Sequence, residues 1–189
     1  MPPKVRITKE EIIKEALALV REKGADALNA RELAGRLNCS TQPLFSNFAT
    51  MENLHEALLT AAYDCYLDFL KREVESGKYP QYKAYGMAYI RFAKEERELF
   101  KFLFMCDRAG KDLTPTVDFE ASVEMIMKNN GLTHEKANLM HLENWSFVHG
   151  IGVMIATSFL TLDWELISEM VSDIYQGLRM RHSSKEENI

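Results

Sequence analysis

A chain of 189 residues that is 47% hydrophobic can bury a sizeable core, as one large domain or as a small domain joined to a larger one. Five prolines, nine glycines and no Gly/Ser- or Pro-rich linker disfavour a loop-rich all-β fold, and the longest nearly apolar run, 147–160, is too short to span a bilayer. The net charge of −5 argues against nucleic acid until it is divided: residues 1–48 carry eight basic and six acidic side chains, the remainder 15 and 22. The N-terminal stretch is polar and lacks an apolar signal core. Cys39, Cys65 and Cys106 are odd in number, widely spaced and without a CxxC pair, which predicts reduced thiols in a cytoplasmic protein.

ITKEEIIKEALALVREKG superposes three helix-start signals. Thr8 is an N-cap, Glu11 can close a capping box, and Ile7 with Ile12 forms a hydrophobic staple. Ile13, Ala16, Leu17 and Val20 follow at helical spacing, and Gly24 offers a left-handed stop. LNARELAGRLN repeats the device with Asn29 as cap, Glu32 closing the box and Asn38 free to turn. Ser40 then caps a third short element, TQPLFSN, where Pro43 falls in the first turn. Leu44, Phe45 and Phe48 form its apolar side, so Phe45 and Phe48 read as core. A long helix, a short helix, a tight turn and another short helix describe a helix-turn-helix. On spacing alone, three packed helices with no DNA role fit equally well.

The order Ala16-Leu17-x-Leu19-Val20-x3-Gly24, Arg31-Glu32-Leu33-Ala34, Ser40-x3-Leu44-Phe45-x2-Phe48 and Glu52-x-Leu54 resembles the N-terminal domain of TetR-family transcriptional regulators. The resemblance covers residues 7–60. It implies an all-α homodimer, with a DNA-binding domain over 1–50 that meets a palindromic operator. A helical ligand-binding and dimerisation domain over 51–189 would take a small-molecule effector. It also implies DNA contacts from Thr41, Gln42, Pro43, Phe45, Ser46 and Asn47. Gln42, Pro43, Phe45, Asn47 and Met51 depart from the residues usual there, and Phe45 and Met51 remove a hydroxyl and a charge. The operator is therefore expected to be atypical.

CSTQPLFSNF carries no charge, so grip and reading must be divided. Gln42 can pair with adenine, and Thr41 and Pro43 can meet a thymine methyl. Ser46 and Asn47 can donate neutral hydrogen bonds to phosphate. Lys4, Arg6, Lys9 and Arg31 supply charge, aided by backbone N–H groups near Asn29, Ser40 and Thr50.

Residues 51–79 read as one long helix with Leu54, Leu58, Ala61 and Cys65 on one face and Leu59, Tyr63, Tyr66 and Leu70 on another. Tyr82, Tyr85, Tyr89 and Phe92 form a stripe on the next helix, followed by ERELFKFLFMC. A loop around Pro115, a helix over 118–130 and a longer helix to about 160 come next. Trp145-x3-His149-Gly150 resembles the tryptophan–histidine–glycine C-terminal domain of one TetR subgroup. In the last helix Asp163 is the expected cap, with Leu162 and Ile167 as staple. The family places its dimer interface on the last two helices, which implicates Gly150, Trp164, Ile167, Val171, Ile174 and Leu178.

Tyr66, Tyr89, Phe104, Met125, Trp145 and His149 are the candidate ligand-binding residues, drawn from a region rich in aromatics and methionine. His141 and His149 are eight apart, too far for a helical metal pair, and no phosphate loop or nucleophile–base arrangement is present. The expectation is a ligand-responsive DNA-binding regulator, a repressor with no cofactor, metal, membrane segment or enzymatic activity. The alternative is a helical small-molecule-binding protein with weakened or lost DNA binding.

Overall fold

The computed structural model describes residues 7–106 and 117–183, so the loop expected around Pro115 lies outside the described residues. Helix α1, Lys9–Lys23, opens on the capping box that the sequence predicts. The Thr8 hydroxyl accepts from the Glu11 N–H at 3.2 Å, and the Glu11 carboxylate accepts from the Thr8 N–H at 2.8 Å. The helix buries Ile12, Ala16, Leu19 and Val20 and ends at Gly24. There φ is 80° and ψ 170°, outside the left-handed helical region expected and in one open essentially to glycine alone.

A 3₁₀ turn, Ala25–Ala27, leads to α2, Ala30–Arg36. The Asn29 carboxamide oxygen accepts from the Arg31 and Glu32 N–H groups at 3.1 and 3.0 Å. Glu32 does not close the box, because its carboxylate accepts from Lys23 Nζ at 2.5 Å instead. Asn38 turns the chain with φ of 50°. Helix α3, Gln42–Asn47, starts one residue later than a Ser40 cap would place it, and Thr41 at its start makes no side-chain cap.

Thr50 Oγ1 accepts from the Asn53 N–H at the start of α4, Met51–Glu75. The two apolar faces expected of α4 are unequal. Leu54, Leu58, Ala62, Tyr66 and Phe69 make one buried stripe, while Ala61, Cys65, Leu59, Tyr63 and Leu70 are half-buried. Then come α5, Gln81–Glu95, α6, Arg97–Phe104, α7, Val117–Asn130, α8, His134–Ala156, and α9, Trp164–Ser183. Gly77 and Gly131, with φ of 63° and 65°, follow α4 and α7. Thr133 caps α8, and Ser158 with φ of 58° follows its end. At α9 the Ile167 N–H donates to the Asp163 carbonyl.

The described chain is all helical and forms two compact units. Residues 7–68 with 95–106 make the first. Its core joins α1 to Leu33 and Ala34 of α2, Leu44 and Phe48, the first half of α4, and Leu99, Phe100, Phe102 and Leu103 of α6. Arg21 Nε donates to Glu96 at 2.9 Å, fastening α1 near the start of α6. Residues 69–94 with 117–183 make the second unit. There Val123, Ile126, Ala137, Met140 and Leu178 form a core, closed by Tyr82, Phe119, Ile174 and Tyr175. No described helix is long and apolar enough to cross a membrane.

A Cβ added at Gly24 would lie 3.0 Å from Glu98 Oε2, in a backbone conformation strained for any L side chain. Gly24→Ala is therefore expected to cost roughly 1–3 kcal/mol in urea unfolding. Gly35→Ala, at a position with open space and inside a helix, should not destabilise.

Candidate nucleic-acid interface and effector region

Helix α3 has six residues and depends on its anchors. Leu44 and Phe48 are buried, and Asn47 Nδ2 donates to the carbonyls of Pro43 and Ile7 at 2.9 and 3.2 Å. Gln42, Phe45 and Ser46 therefore face outward, with Thr41 and Pro43 half-buried beside them. Phe45 is 46% exposed, against the core position its apolar character predicts, whereas Phe48 is 6% exposed and is core. Helical geometry explains the split: Leu44 and Phe48 are four apart and share a face, and Phe45 is turned about 100° from Leu44.

The neutral phosphate donors expected here are already used. The Ser46 hydroxyl donates to the Gln42 carbonyl at 2.9 Å, and the Asn47 amide serves the two carbonyls above. Asn29 likewise takes two N–H groups of α2, and Thr50 takes one of α4. Three of the basic side chains counted in residues 1–48 are also engaged. Arg21 pairs with Glu96, Lys23 with Glu32, and Arg36 with Glu22 and Glu15. Arg31, Lys9 and Lys14 are exposed and make no ion pair among the described residues, though Lys9 Nζ lies 5.2 Å from the Phe48 ring centroid. Lys4 and Arg6 lie outside the described residues.

The six candidate ligand residues divide into groups. In the first unit Tyr66 is buried and meets half-buried Phe104 edge-on, with centroids 5.5 Å apart. In the second unit the Tyr89 hydroxyl is 2.8 Å from His149 Nδ1, and Trp145 stacks on His149 at 5.1 Å and 16°. Met125 is half-buried on α7. Burial holds the His149 imidazole below its ordinary value of 6.5.

A second polar cluster was not foreseen as a site. His141 and Asn144, both buried, occupy the inward face of α8 among Ala137, Met140 and Val148. Tyr82 OH is 2.9 Å from His141 Nδ1, and Asn144 Nδ2 donates to Tyr82 OH at 3.3 Å. Asn144 Oδ1 is enclosed without a hydrogen-bond partner, and burial pushes the Tyr82 phenol well above its ordinary value. The signal in the sequence was two polar residues on an otherwise apolar helical face.

The expected dimer residues are mostly spent inside the chain. Ile167, Val171 and Leu178 are buried, and Ile174 packs on the core of the second unit. Trp164 is half-buried, with the Arg91 guanidinium 4.4 Å from its ring centroid. These residues close the chain's own core, a use that an apolar stripe does not distinguish from an interface. Gly150 is half-buried, and a Cβ there would meet nothing within 4 Å. The exposed apolar residues of the two helices are Leu139, Leu142 and Trp145 on α8 and Leu166 and Met180 on α9.

No protein-family model matches the chain. Over 183 residues it is 24% identical to an uncharacterized HTH-type transcriptional regulator of Mycobacterium tuberculosis, covering 93% of this chain and 84% of that protein. Among solved structures, a protein of unknown function from Rhodococcus sp. RHA1 superposes with a TM-score of 0.69 at 18% identity. That match covers 97% of this chain and 98% of the other. A TetR-family member from Streptomyces coelicolor superposes with a TM-score of 0.65 at 16% identity, over 88% and 96% of the two chains. The fold is that of the TetR-type regulators. A TetR variant from Acinetobacter baumannii AYE, in complex with minocycline, gives 0.63 at 17% identity over 94% and 99%.

The lowered His149 pKa sets a pH dependence. Below 6.5 the unfolded chain takes up a proton that the folded imidazole resists, so stability is full above that pH and falls as the pH drops toward the folded value. Urea stability of wild type should decline relative to His149→Gln between about pH 7.5 and about pH 5. Parallel curves for the two proteins would contradict it.

Proposed function

We propose that the protein is a ligand-responsive, DNA-binding transcriptional regulator, a repressor that meets a palindromic operator as a homodimer. The observation that carries this is the outward face of α3, where Gln42 and Phe45 are exposed beside Thr41 on a helix anchored by Leu44 and Phe48. The TetR-type fold supports it. Residues 1–50 carry the DNA contacts and 51–189 the effector and dimer functions. Gln42 reads adenine, and Phe45, Thr41 and Pro43 offer apolar surface to thymine methyl groups. Arg31 and Lys9, with Lys4 and Arg6, provide phosphate attraction. An effector acts by binding more tightly to the conformation with wrongly spaced recognition helices.

The effector is small and apolar or amphipathic. Its region in the second unit is centred on Tyr89 of α5 with Trp145 and His149, which belong with Gly150 to the tryptophan–histidine–glycine element of the subgroup resemblance. The dimer face is the exposed side of α8 and α9, through Leu139, Leu142, Trp145, Leu166 and Met180, with half-buried Gly150 at its edge. One observation favours the second reading, a helical small-molecule-binding protein with weakened DNA binding. The Ser46 and Asn47 donors are satisfied within α3 and its anchor, which leaves fewer phosphate contacts on that helix.

Electrophoretic shift with DNA from the gene's own upstream region, over a salt series, tests the reading. Gln42→Ala should lose about 1–3 kcal/mol of discrimination at one base position. Arg31→Ala should weaken all sequences alike and lower the salt slope by about 1. Absence of salt-sensitive binding to any duplex would leave only the second reading. In sedimentation at micromolar protein, Leu142→Glu should shift dimer to monomer, whereas an unchanged dimer would remove α8 from the interface.

A further inference from the structure

Asn47, half-buried at the end of α3, joins two parts of the first unit that are 40 residues apart in the chain. Its amide nitrogen carries two protons, and both are committed. One goes to the Pro43 carbonyl at 2.9 Å, inside α3, and the other to the Ile7 carbonyl at 3.2 Å, ahead of α1. Turning the carboxamide over would set its oxygen against two carbonyl oxygens, so the nitrogen must face them. Asn47 therefore has no proton to give a phosphate, and the oxygen that remains would repel one. Ser46 differs, since its hydroxyl bonds inside α3, to the Gln42 carbonyl.

What Asn47 holds is the point at which the chain enters the unit. Ile7 directly precedes Thr8, the cap of α1. A second contact joins the same two places: Lys9 Nζ lies 5.2 Å from the ring centroid of Phe48, the residue after Asn47, and Phe48 is buried. The entry is basic. Lys9 is exposed with no ion pair among the described residues, and Arg6 is joined to Ile7 by one peptide bond. The acids of that turn are drawn to the helix start. Glu11 accepts from the Thr8 N–H at 2.8 Å, and the Glu10 carboxylate is held below its ordinary value, first by its own N–H.

We propose that Asn47 is a positioning residue for DNA binding, which secures the basic entry of the chain to the end of α3 and acts through Lys9 and Arg6. Reading and grip then move as one body, because the helix that presents Gln42 and Phe45 also carries the tie to the cations. The role rests on the DNA-binding function proposed above, and it replaces the phosphate contact expected of Asn47 from the sequence.

The test is fluorescence anisotropy of the full chain on labelled duplex from the gene's own upstream region, from about 50 to about 200 mM KCl. A neutral side chain that touches phosphate adds affinity but releases no counterion, whereas a cation adds to the salt slope. Asn47→Ala should therefore flatten the slope. Over that range wild type should lose about threefold more affinity than the variant for each phosphate contact released. In a chain already carrying Lys9→Gln and Arg6→Gln, Asn47→Ala should leave the slope unchanged. Circular dichroism checks folding, and Asn47→Leu, which fills the space without a donor, replaces the alanine variant if that does not fold. Weaker binding at an unchanged slope, or equal flattening with and without the two cations, overturns the positioning role while leaving DNA binding intact. Absence of salt-sensitive binding by wild type overturns the DNA-binding reading and the role with it.

Discussion

A helix of six residues has no stability of its own, because the cost of nucleation exceeds what two turns of hydrogen bonds return. Helix α3 exists because Leu44 and Phe48 are drawn into the core and Asn47 ties it to the Ile7 carbonyl. That single constraint decides the outward surface. Once two residues four apart are fixed inward, Gln42, Phe45 and Ser46 have nowhere to point but solvent. The same anchoring uses up the Asn47 amide, so the interaction that presents the outward face also removes a donor from it.

Charge in the first fifty residues is divided in the same way. Arg21, Lys23 and Arg36 look like affinity for a polyanion in a count, yet each is held by glutamates of the same unit. They serve the packing of α1 against α2 and α6, and Arg31, Lys9 and Lys14 remain as the exposed cations without ion pairs. His141 and Asn144 on the inward side of α8 meet Tyr82 of α5, half-buried His149 meets Tyr89, and Lys83 donates to two serines of α9.

Much of this was legible in the chain. The Thr8–Glu11 box, the Asn29 cap, the turn at Asn38 and the end of α7 at Gly131 are local chemistry, settled within four residues of one another, whereas the helix expected over 51–79 ends at Glu75, ahead of Gly77 with its φ of 63°. Where a distant partner competes, local reading fails. Glu32 leaves its expected box because its carboxylate accepts from Lys23 of α1.

The sequence by itself determined the helical class, the caps at Thr8 and Asn29 and the resemblance to a known fold, because these rest on short-range patterns. Only the tertiary structure decided which face of each helix is inward. Ile167, Val171 and Leu178 close the chain's own core, Phe45 stays outside, and Lys83 finds Ser168 and Ser172 more than eighty residues away. An apolar stripe records that a surface must be covered. What covers it is set by contacts between residues far apart in the chain, and no local pattern carries that information.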